Sequence, residues 1–351
     1  MMLSAGNGFI MQSKKYSRDN AGQSLKKYIL LKQGELAYNH GASKAKQFGC
    51  CYELTEPEAR IPYVYHCFKI NNQEYTPFIA MALNNAKMDK QLKRLVSSSV
   101  RMDGLLNISF EDYMSVTIHL PSSSEQKHIA DFLQKIDERI VAQEKLIASL
   151  KKYKRGLLSY YFSPTHMVHL GNVESYNFAD IAYRRTEKYD PRSGKDSHCI
   201  ELEHIEQETG RILGSTSAIN QNSIKNVCRK NDVLFGKLRP YLRKYALVKQ
   251  KCVCSSEIWT LVPKKTVLPQ FLFYLVQSEE FIKVANISSG TKMPRAEWSN
   301  VEKATFYIPS TDVQQKIILQ LEGIDALIMS NDKIRSQLNN LKRGLLQQLF
   351  I

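Results

Sequence analysis

The strongest constraint on how this chain folds is an internal repeat. Residues 120–162 align with residues 308–350 without a gap, at a constant offset of 188, and 16 of the 43 positions are identical. Both copies begin with Pro-Ser and end with Lys-Arg-Gly-Leu-Leu. Two amphipathic helices that are similar by chance would share apolar positions alone, so the matching ends indicate a duplication.

Each copy has the pattern of one long helix, which spans roughly 55 Å at 1.5 Å per residue. Apolar residues recur at spacings of four and three, with Leu146 and Tyr153 in the first copy and Ile334 and Leu341 in the second included in the stripe. A stripe of this length must be buried, so we expect the two copies to pair with each other rather than each to pack on its own domain. The residues predicted to form the pairing surface are Ile129, Leu133, Ile136, Ile140, Leu150 and Leu157 in the first copy, and Ile317, Leu321, Ile324, Ile328, Leu338 and Leu345 in the second.

The segments before the two helices correspond more loosely. Residues 33–38 (Gln-Gly-Glu-Leu-Ala-Tyr) are similar to residues 230–235 (Lys-Asn-Asp-Val-Leu-Phe), and each reads as a turn that leads into an apolar strand. The predicted order is a globular domain at 1–120, a helix at 121–163, a second globular domain at 164–307 and a second helix at 308–351. The predicted fold class is α+β, with two globular α/β domains alternating with two long helices.

Charge and cysteine usage restrict the partners and the compartment. A formal net charge of +15 favours a polyanionic partner, with nucleic acid ahead of an anionic membrane surface. No apolar run has the length of a membrane span, and the N-terminus lacks the pattern of a signal peptide. The seven cysteines are scattered and form no zinc motif, which predicts reduced, buried thiols in a cytoplasm.

Catalytic motifs are missing from the sequence. It has no glycine-rich cofactor loop joined to an Asn/Asp-Pro-Pro-aromatic motif, no phosphate-binding loop, no zinc motif and no nucleophile elbow. Glu125-Gln126-Lys127 matches part of a nuclease motif, but its repeat counterpart is Val313-Gln314-Gln315, so we interpret it as the first turn of the helix. We therefore expect a protein without catalytic chemistry or a cofactor of its own.

Taken together, the chain resembles the specificity subunits of type I restriction-modification enzymes over essentially its whole length. The most specific features are the Pro-x-x-x-x-Gln start of each helix, at Pro121 and Pro309, and the Lys-Arg-Gly-Leu-Leu end. The resemblance implies two target-recognition domains that read a bipartite duplex DNA target, spaced by the two helices paired as an antiparallel coiled coil. It also implies methyltransferase subunits, which would bring S-adenosylmethionine, and a motor-nuclease subunit as partners.

The first recognition domain departs from the pattern. Only 34 residues precede Glu35, whereas 68 residues, 164–231, precede its counterpart Asp232. The first domain is thus predicted to be shortened at its N-terminal side, so that a second copy or another chain would be needed to complete it.

Three groups of residues are candidates for DNA contact, because arginine and lysine bind base edges and phosphates. The alternative for each is an ordinary solvated loop or turn. The groups are Lys237, Arg239, Tyr241, Arg243, Lys244 and Tyr245 in the second domain, Thr291, Lys292 and Arg295 further along it, and Asn39, His40, Lys44 and Lys46 in the first domain.

The competing function is a coiled-coil RNA-binding or scaffold protein. It would share the basic charge and the long helices, but it would have no need for two duplicated reading domains. Binding to duplex DNA compared with binding to RNA separates the two hypotheses.

Overall fold

A computed structural model describes residues 1–6, 8–14, 27–41, 43, 46–71, 74–96, 106–169, 173–193, 196–287 and 293–350. The chain divides into two compact units, unit 1 (Met1–Glu144 with Lys333–Ile351) and unit 2 (Lys145–Asp332). The unit boundaries fall inside the two long helices, which are α4 (Ser123–Phe162) and α10 (Thr311–Leu349). The division into four sequence segments stays a prediction.

Unit 1 begins with short strands and continues with short helices before α4. The strands are β1 (Met2–Ser4), β2 (Gly8–Ile10), β3 (Ile29–Lys32), β4 (Leu36–Asn39), β5 (Cys50–Glu53), β6 (Glu58–Ile61) and β7 (His66–Phe68), and the helices are α1 (Thr76–Ala82), α2 (Ala86–Leu95) and α3 (Phe110–Met114). Strand β4 is central in a sheet of order β5-β4-β7, and its core residues Leu36, Ala37 and Tyr38 are almost fully buried.

Unit 2 has a fuller set of elements. Its strands are β8 (Val173–Asn177), β9 (Ala182–Arg184), β10 (Lys188–Tyr189), β11 (His198–Ile200), β12 (Thr216–Ser217), β13 (Lys225–Cys228), β14 (Val233–Gly236), β15 (Tyr245–Leu247), β16 (Cys252–Cys254), β17 (Ile258–Pro263) and β18 (Thr305–Pro309). Its helices, apart from the long ones, are α5 (Pro164–His169), α6 (Phe178–Ile181), α7 (Pro269–Leu275), α8 (Glu279–Ala285) and α9 (Trp298–Val301).

The two units repeat the same core. The sheet β15-β14-β17-β9 of unit 2 contains the equivalent of β5-β4-β7, and the antiparallel pair β13–β16 is equivalent to β3–β6. Helices α7 and α1 both carry a proline in the first turn, and α8 and α2 begin at side-chain caps from Ser278 and Asn85. Strands β8 and β9 and helix α6 have no counterpart in the described part of unit 1.

The repeated glutamine explains why both long helices begin with the same motif. The Gln314 side chain accepts a hydrogen bond from the Leu268 N–H and donates to the carbonyls of Thr266 and Pro309, each at 2.9 Å. In unit 1, Gln126 accepts from the Tyr75 N–H at 3.1 Å and donates to the Pro121 carbonyl at 2.9 Å and to the Glu74 carboxylate. Each buried amide thus fixes the start of a long helix to the start of a short one, because an unpaired buried amide is costly.

In unit 1 the start of α4 packs against the end of α10. Leu133, Ile136 and Ile140 are buried in a cluster with Leu338 and Leu345. Asp137 accepts a hydrogen bond from Lys342 Nζ at 2.7 Å, and earlier in α4 Ile129 lies in the same cluster as Phe350. Residue numbers therefore rise along one helix as they fall along the other, which is the antiparallel pairing that the family resemblance implies.

In unit 2 the end of α4 packs against the start of α10. Lys154 Nζ lies 2.7 Å from Asp325 Oδ1, and Tyr161 donates a hydrogen bond to Gln320. Lys154 and Lys342 are the same position of the repeat, and so are Asp325 and Asp137. The lysine of each copy thus pairs with the aspartate of the other copy, which gives a physical reason for these identities.

The apolar stripe predicted for the second half of each helix was wrong at four positions. Leu146, Tyr153, Ile334 and Leu341 are 46%, 57%, 38% and 51% exposed, whereas Ile147 of α4 is buried. An α-helix has 3.6 residues per turn, so a pattern repeating every seven residues drifts around a straight helix. The pairing residues Leu150, Leu157, Leu338 and Leu345 are half-buried, and Ile317, Leu321 and Ile328 are buried.

None of the helices in the described part of the chain combines the length and apolar character that a membrane span requires.

Candidate nucleic-acid interface

The basic segment of unit 2 is a loop between two buried strands. Strand β14 is hydrogen-bonded to β15 on one side and to β17 on the other, and all four of its residues are buried. Residues 237–244 connect β14 to β15, so both ends of the loop are fixed by the sheet. The apolar run that the sequence shows before the loop is therefore the central strand of the domain.

Two arginines of this loop have left-handed backbone conformations. Arg239 and Arg243 have φ values of 52° and 50° and flank a 3-10 helix at Pro240–Leu242. Such a conformation costs a non-glycine residue on the order of 1–3 kcal/mol, so it persists only where surrounding bonds fix it. Here the Arg239 N–H donates to the Pro294 carbonyl at 2.8 Å, and the Arg243 N–H donates to the Pro240 carbonyl at 2.9 Å.

The structure brings two of the predicted segments together. Leu238 forms a β-bridge with Arg295, and the Ala296 N–H donates to the Lys237 carbonyl at 2.8 Å. The Arg295 guanidinium pairs with Glu257 at 3.0 Å. Thr291 and Lys292, predicted in the same segment, lie outside the described residues. The loop that carries Arg239 is thus supported by a segment about 55 residues further along the chain, at 294–296.

Arg239 and Tyr241 face solvent on this supported loop. Both side chains are exposed, Tyr241 at 52%, and Lys237 is half-buried. Within the described residues, no acidic group lies within ion-pair distance of Arg239 or Lys237. These residues therefore keep their charge and hydrogen-bonding capacity for a ligand.

The last two residues of the loop and the first residue of β15, all three predicted to contact DNA, are directed elsewhere. The Arg243 guanidinium pairs with Glu279 at 2.6 Å and contacts the Gln277 carbonyl, and Lys244 Nζ donates to the Leu202 carbonyl. Tyr245 is 3% exposed, and burial raises the pKa of its hydroxyl. We therefore correct the candidate set: Tyr245 is a core residue, and Arg243 and Lys244 bind the protein's own carboxylate and carbonyl groups.

The equivalent loop of unit 1 has fewer side chains available for DNA contact. Lys46 Nζ donates to the Asn84 carbonyl at 2.8 Å, and the Asn39 side chain accepts from the Gly41 N–H at 2.9 Å. His40 is 5% exposed and lies 5.0 Å from the His66 ring, so it is a buried residue and no base reader. Lys44 lies outside the described residues. Among the described candidates of unit 1, Asn39 and Lys46 are half-buried and none is exposed.

Sequence reasoning missed the acidic partners and one stacked cation. Glu257 and Glu279 neutralise Arg295 and Arg243, although each lies at least 36 residues from its partner along the chain. The Arg184 guanidinium lies over the Trp298 ring, 4.8 Å from its centre. No local sequence pattern signals these contacts, because the pairing of distant strands creates them.

A metal-dependent reaction would need clustered ligands. In the part of the chain that the structure describes, no group of three or more His, Cys, Asp or Glu side chains is placed to hold a metal ion.

Comparison with known proteins connects this arrangement to one family. Residues 26–152 and 185–340 match the type I restriction modification DNA specificity domain. The chain is 30% identical over 135 residues to the HindI specificity subunit of Haemophilus influenzae, covering 36% of this chain and 29% of that protein. It is 22% identical over 288 residues to the MjaVIII specificity subunit of Methanocaldococcus jannaschii, and this match covers 74% of this chain and 67% of that protein. It shares 20% identity over 279 residues with the EcoDI specificity subunit of Escherichia coli, and this match covers 68% of this chain and 62% of that protein.

Solved structures share the fold. A chain from a study of complex assembly and conformational transition of the type I R-M system has a TM-score of 0.57 at 13% identity, covering 92% of this chain and 82% of that one. An S subunit of a type I restriction-modification system from M. genitalium has a TM-score of 0.54 at 16% identity, and the match covers 91% of this chain and 83% of that one. Because the matched segments include most of its length, this chain belongs to the type I restriction modification DNA specificity domain family.

Proposed function

We propose that this chain is the sequence-reading subunit of a type I restriction-modification complex and recognises a bipartite duplex DNA target. The observation that carries the proposal is the loop of unit 2, where Arg239 and Tyr241 are exposed and the backbone is held by residues 294–296. The net charge of +15 supplies sequence-independent attraction to phosphates. Membership of a DNA specificity family makes duplex DNA the natural ligand.

A rigid loop suits base recognition for an energetic reason. An arginine can donate two parallel hydrogen bonds to the O6 and N7 atoms of guanine, and such a contact discriminates by about 1–3 kcal/mol. Because hydrogen bonds already fix the backbone of Arg239, less ordering entropy is lost when its side chain binds. Tyr241 adds an exposed hydroxyl that can donate to a phosphate.

The test starts with selection of duplexes from a random pool by the purified chain at low salt. Arg239→Ala should weaken binding to the selected duplex by about 1–3 kcal/mol and relax one half-site. The control is Arg192→Ala, which removes an equal charge from an exposed side chain that pairs with Asp190 at 3.0 Å. Equal losses from both variants would reduce the loop to a general electrostatic surface and contradict the proposal.

The same assay separates DNA reading from the RNA-binding alternative. Duplex DNA of selected sequence should compete for the chain far better than duplex or single-stranded RNA of matched length. Preferential binding of RNA, without enrichment of any DNA sequence, would favour the coiled-coil RNA-binding or scaffold function.

The long helices carry a surface suited to partner subunits. Leu146, Tyr153 and Tyr160 of α4 are exposed at seven-residue spacing, and Ile334 and Leu341 of α10 repeat this pattern. Exposed apolar residues at this spacing lie along one side of a helix and favour another helix as ligand. We infer that methyltransferase subunits, with their S-adenosylmethionine, dock on the helices, and that the motor-nuclease subunit joins the resulting complex.

Co-purification tests the docking. Tyr153→Glu should remove the methyltransferase subunit from the complex, while Lys152→Glu, a neighbouring exposed position, should retain it. The purified chain supplied with S-adenosylmethionine should transfer no methyl group to DNA. Methyl transfer by the chain alone would overturn its assignment as a recognition subunit.

A further inference from the structure

The globular domains of unit 1 and unit 2 differ in the pairing of the segment that precedes each long helix. In unit 2, β18 is paired with β8 along its whole length, from Thr305 opposite Asn177 to Pro309 opposite Val173. Residues 117–121 are the repeat equivalent of β18 in unit 1, and no strand of the described residues pairs with them. Among the described residues, the segment 117–121 forms no strand and has no partner strand.

A side chain replaces the missing strand at one position. The Gln91 amide accepts a hydrogen bond from the Thr117 N–H at 2.9 Å and donates to the Thr117 carbonyl at 2.7 Å. For Ile118, His119 and Leu120, the described part of the chain supplies no hydrogen bond to the backbone N–H or carbonyl groups. Backbone groups without hydrogen-bond partners can pair with an added strand.

Side-chain burial shows the same difference. Phe306 and Ile308 of β18 are 5% and 4% exposed, whereas Leu120, the equivalent of Ile308, is 42% exposed. The cover in unit 2 is centred on Phe178 of α6, which is fully buried and lies 5.7 Å from the Phe306 ring. Among the described residues of unit 1, no element takes the place of α6.

An aromatic pair extends the uncovered region. In unit 2 the Trp259 and Trp298 rings meet edge to face at 5.6 Å, and the Arg184 guanidinium of β9 lies over Trp298. In unit 1 the rings of His66 and Phe110 meet edge to face at 5.7 Å in the equivalent place. Phe110 is 41% exposed, so part of its ring is accessible, whereas in unit 2 the Arg184 guanidinium lies over Trp298.

We propose that this open surface, formed by the exposed side chains of Phe110, Met114 and Leu120 with the backbone of residues 118–120, binds a strand–helix–strand segment of another polypeptide. The chemistry of the segment follows from β8, α6 and β9. It has a strand that pairs with residues 118–120, an aromatic residue at the start of a short helix, and an arginine on the following strand. Backbone hydrogen bonds supply affinity, and the aromatic side chain and the arginine supply specificity.

A second copy of this chain is a less suitable donor, because its own segment is already in use. Phe178 is fully buried in unit 2, and β8 forms five register pairs with β18. Removing that segment would expose the core that it covers. This inference concerns an interaction surface and goes beyond DNA reading, so it stands whether or not unit 1 contacts a half-site.

The experiment uses the full chain and a synthetic peptide of residues 173–186, monitored by hydrogen exchange and by anisotropy of a fluorophore on the peptide. The amides of residues 118–120 should exchange fast in the chain alone and become protected when the peptide binds, while those of β18 stay protected throughout. Leu120→Glu should weaken peptide binding about tenfold, the loss expected when burial of one leucine side chain is removed. Leu319→Glu, at a 60% exposed position of α10, is the matched control.

Four results would overturn the inference. The first is protection of residues 118–120 in the monomeric chain alone, which would mean that the surface is already covered. The second is no change in the exchange of these residues at millimolar peptide, and the third is equal binding of a peptide carrying Phe178→Asp. The fourth is protection that grows with protein concentration together with a doubled mass by light scattering, which would identify a second copy as the occupant.

Discussion

The globular domains of unit 1 and unit 2 contain the same central strands but differ in what covers them. In unit 2, β8, α6 and β9 cover the sheet and its aromatic residues, so that Phe178 and Ile308 are buried. In unit 1 the equivalent of Ile308 is the exposed Leu120, and the loop after the central strand is held by contacts such as that of Lys46 with Asn84. The comparison teaches that the repeated strands recur in both units, whereas the cover and the reading loop differ, so the core and these two features depend on separate segments of the sequence.

The largest effect should come from the cover itself. Phe178→Ala should lower the free energy of unfolding of unit 2 by about 3–5 kcal/mol, because it removes a fully buried aromatic side chain. Phe110→Ala in unit 1 should cost about 1 kcal/mol or less, since that ring is exposed and contributes mainly its contact with His66. Urea denaturation measures both, and similar losses would mean that the two domains are covered to the same degree.

The two equivalent ion pairs between the long helices should also differ. The Lys154 side chain is 7% exposed, burial lowers its pKa, and its partner Asp325 also accepts a hydrogen bond from Tyr274 at 2.9 Å. Lys154→Met should lower the free energy of unfolding of unit 2 by about 2–3 kcal/mol. This is somewhat less than the loss of one partner from a fully buried ion pair, because Asp325 keeps its hydrogen bond from Tyr274 and remains partly exposed to solvent. Lys342→Met should cost about 0.5–1 kcal/mol, because its side chain is 31% exposed. Equal shifts of the urea midpoint would contradict the difference.

DNA recognition should be unequal as well. Base substitutions in the half-site read by unit 2 should cost about 1–3 kcal/mol each, as expected for direct base contacts. Lys46→Ala in unit 1 should change affinity by less than 1 kcal/mol, on the order of a single surface charge, because its ammonium group already binds the Asn84 carbonyl. Equal losses from both half-sites, measured with a strictly monomeric chain, would show that unit 1 reads DNA as well as unit 2 does.

Thiol reactivity should give the smallest effect. Cys67 of β7 is half-buried, while its counterpart on β17, Thr260, is 2% exposed. Burial raises the pKa of Cys67 to about 11 and that of Cys199 in unit 2 to about 12, so alkylation of both should be slow at pH 8 and should accelerate as the pH rises. Mass spectrometry should find Cys67 modified before Cys199. The opposite order would mean that the edge of β7 is better shielded than its exposure indicates.

The repeat shows how much of the fold could be predicted from the sequence. Helix periodicity and the shared Pro-x-x-x-x-Gln and Lys-Arg-Gly-Leu-Leu motifs predicted two long helices. The structure confirms that they pair, through the cluster of Leu133 and Leu338 in unit 1 and through Lys154 and Asp325 in unit 2. The same pattern failed at Leu146 and Tyr153, because the period of a straight helix differs from seven residues by a small angle that accumulates along its length.

The sequence by itself determined the duplication, the two long helices and the basic loop after β14. Tertiary structure alone decided which candidate side chains of that loop and of the adjoining strand β15 stay free. Arg239 faces solvent, whereas Arg243 meets Glu279 and Tyr245 enters the core. The physical reason is the distance along the chain between interacting residues. Periodicity and charge are local properties of a sequence, whereas the pairing of strands places each side chain next to partners that lie tens of residues away in the sequence.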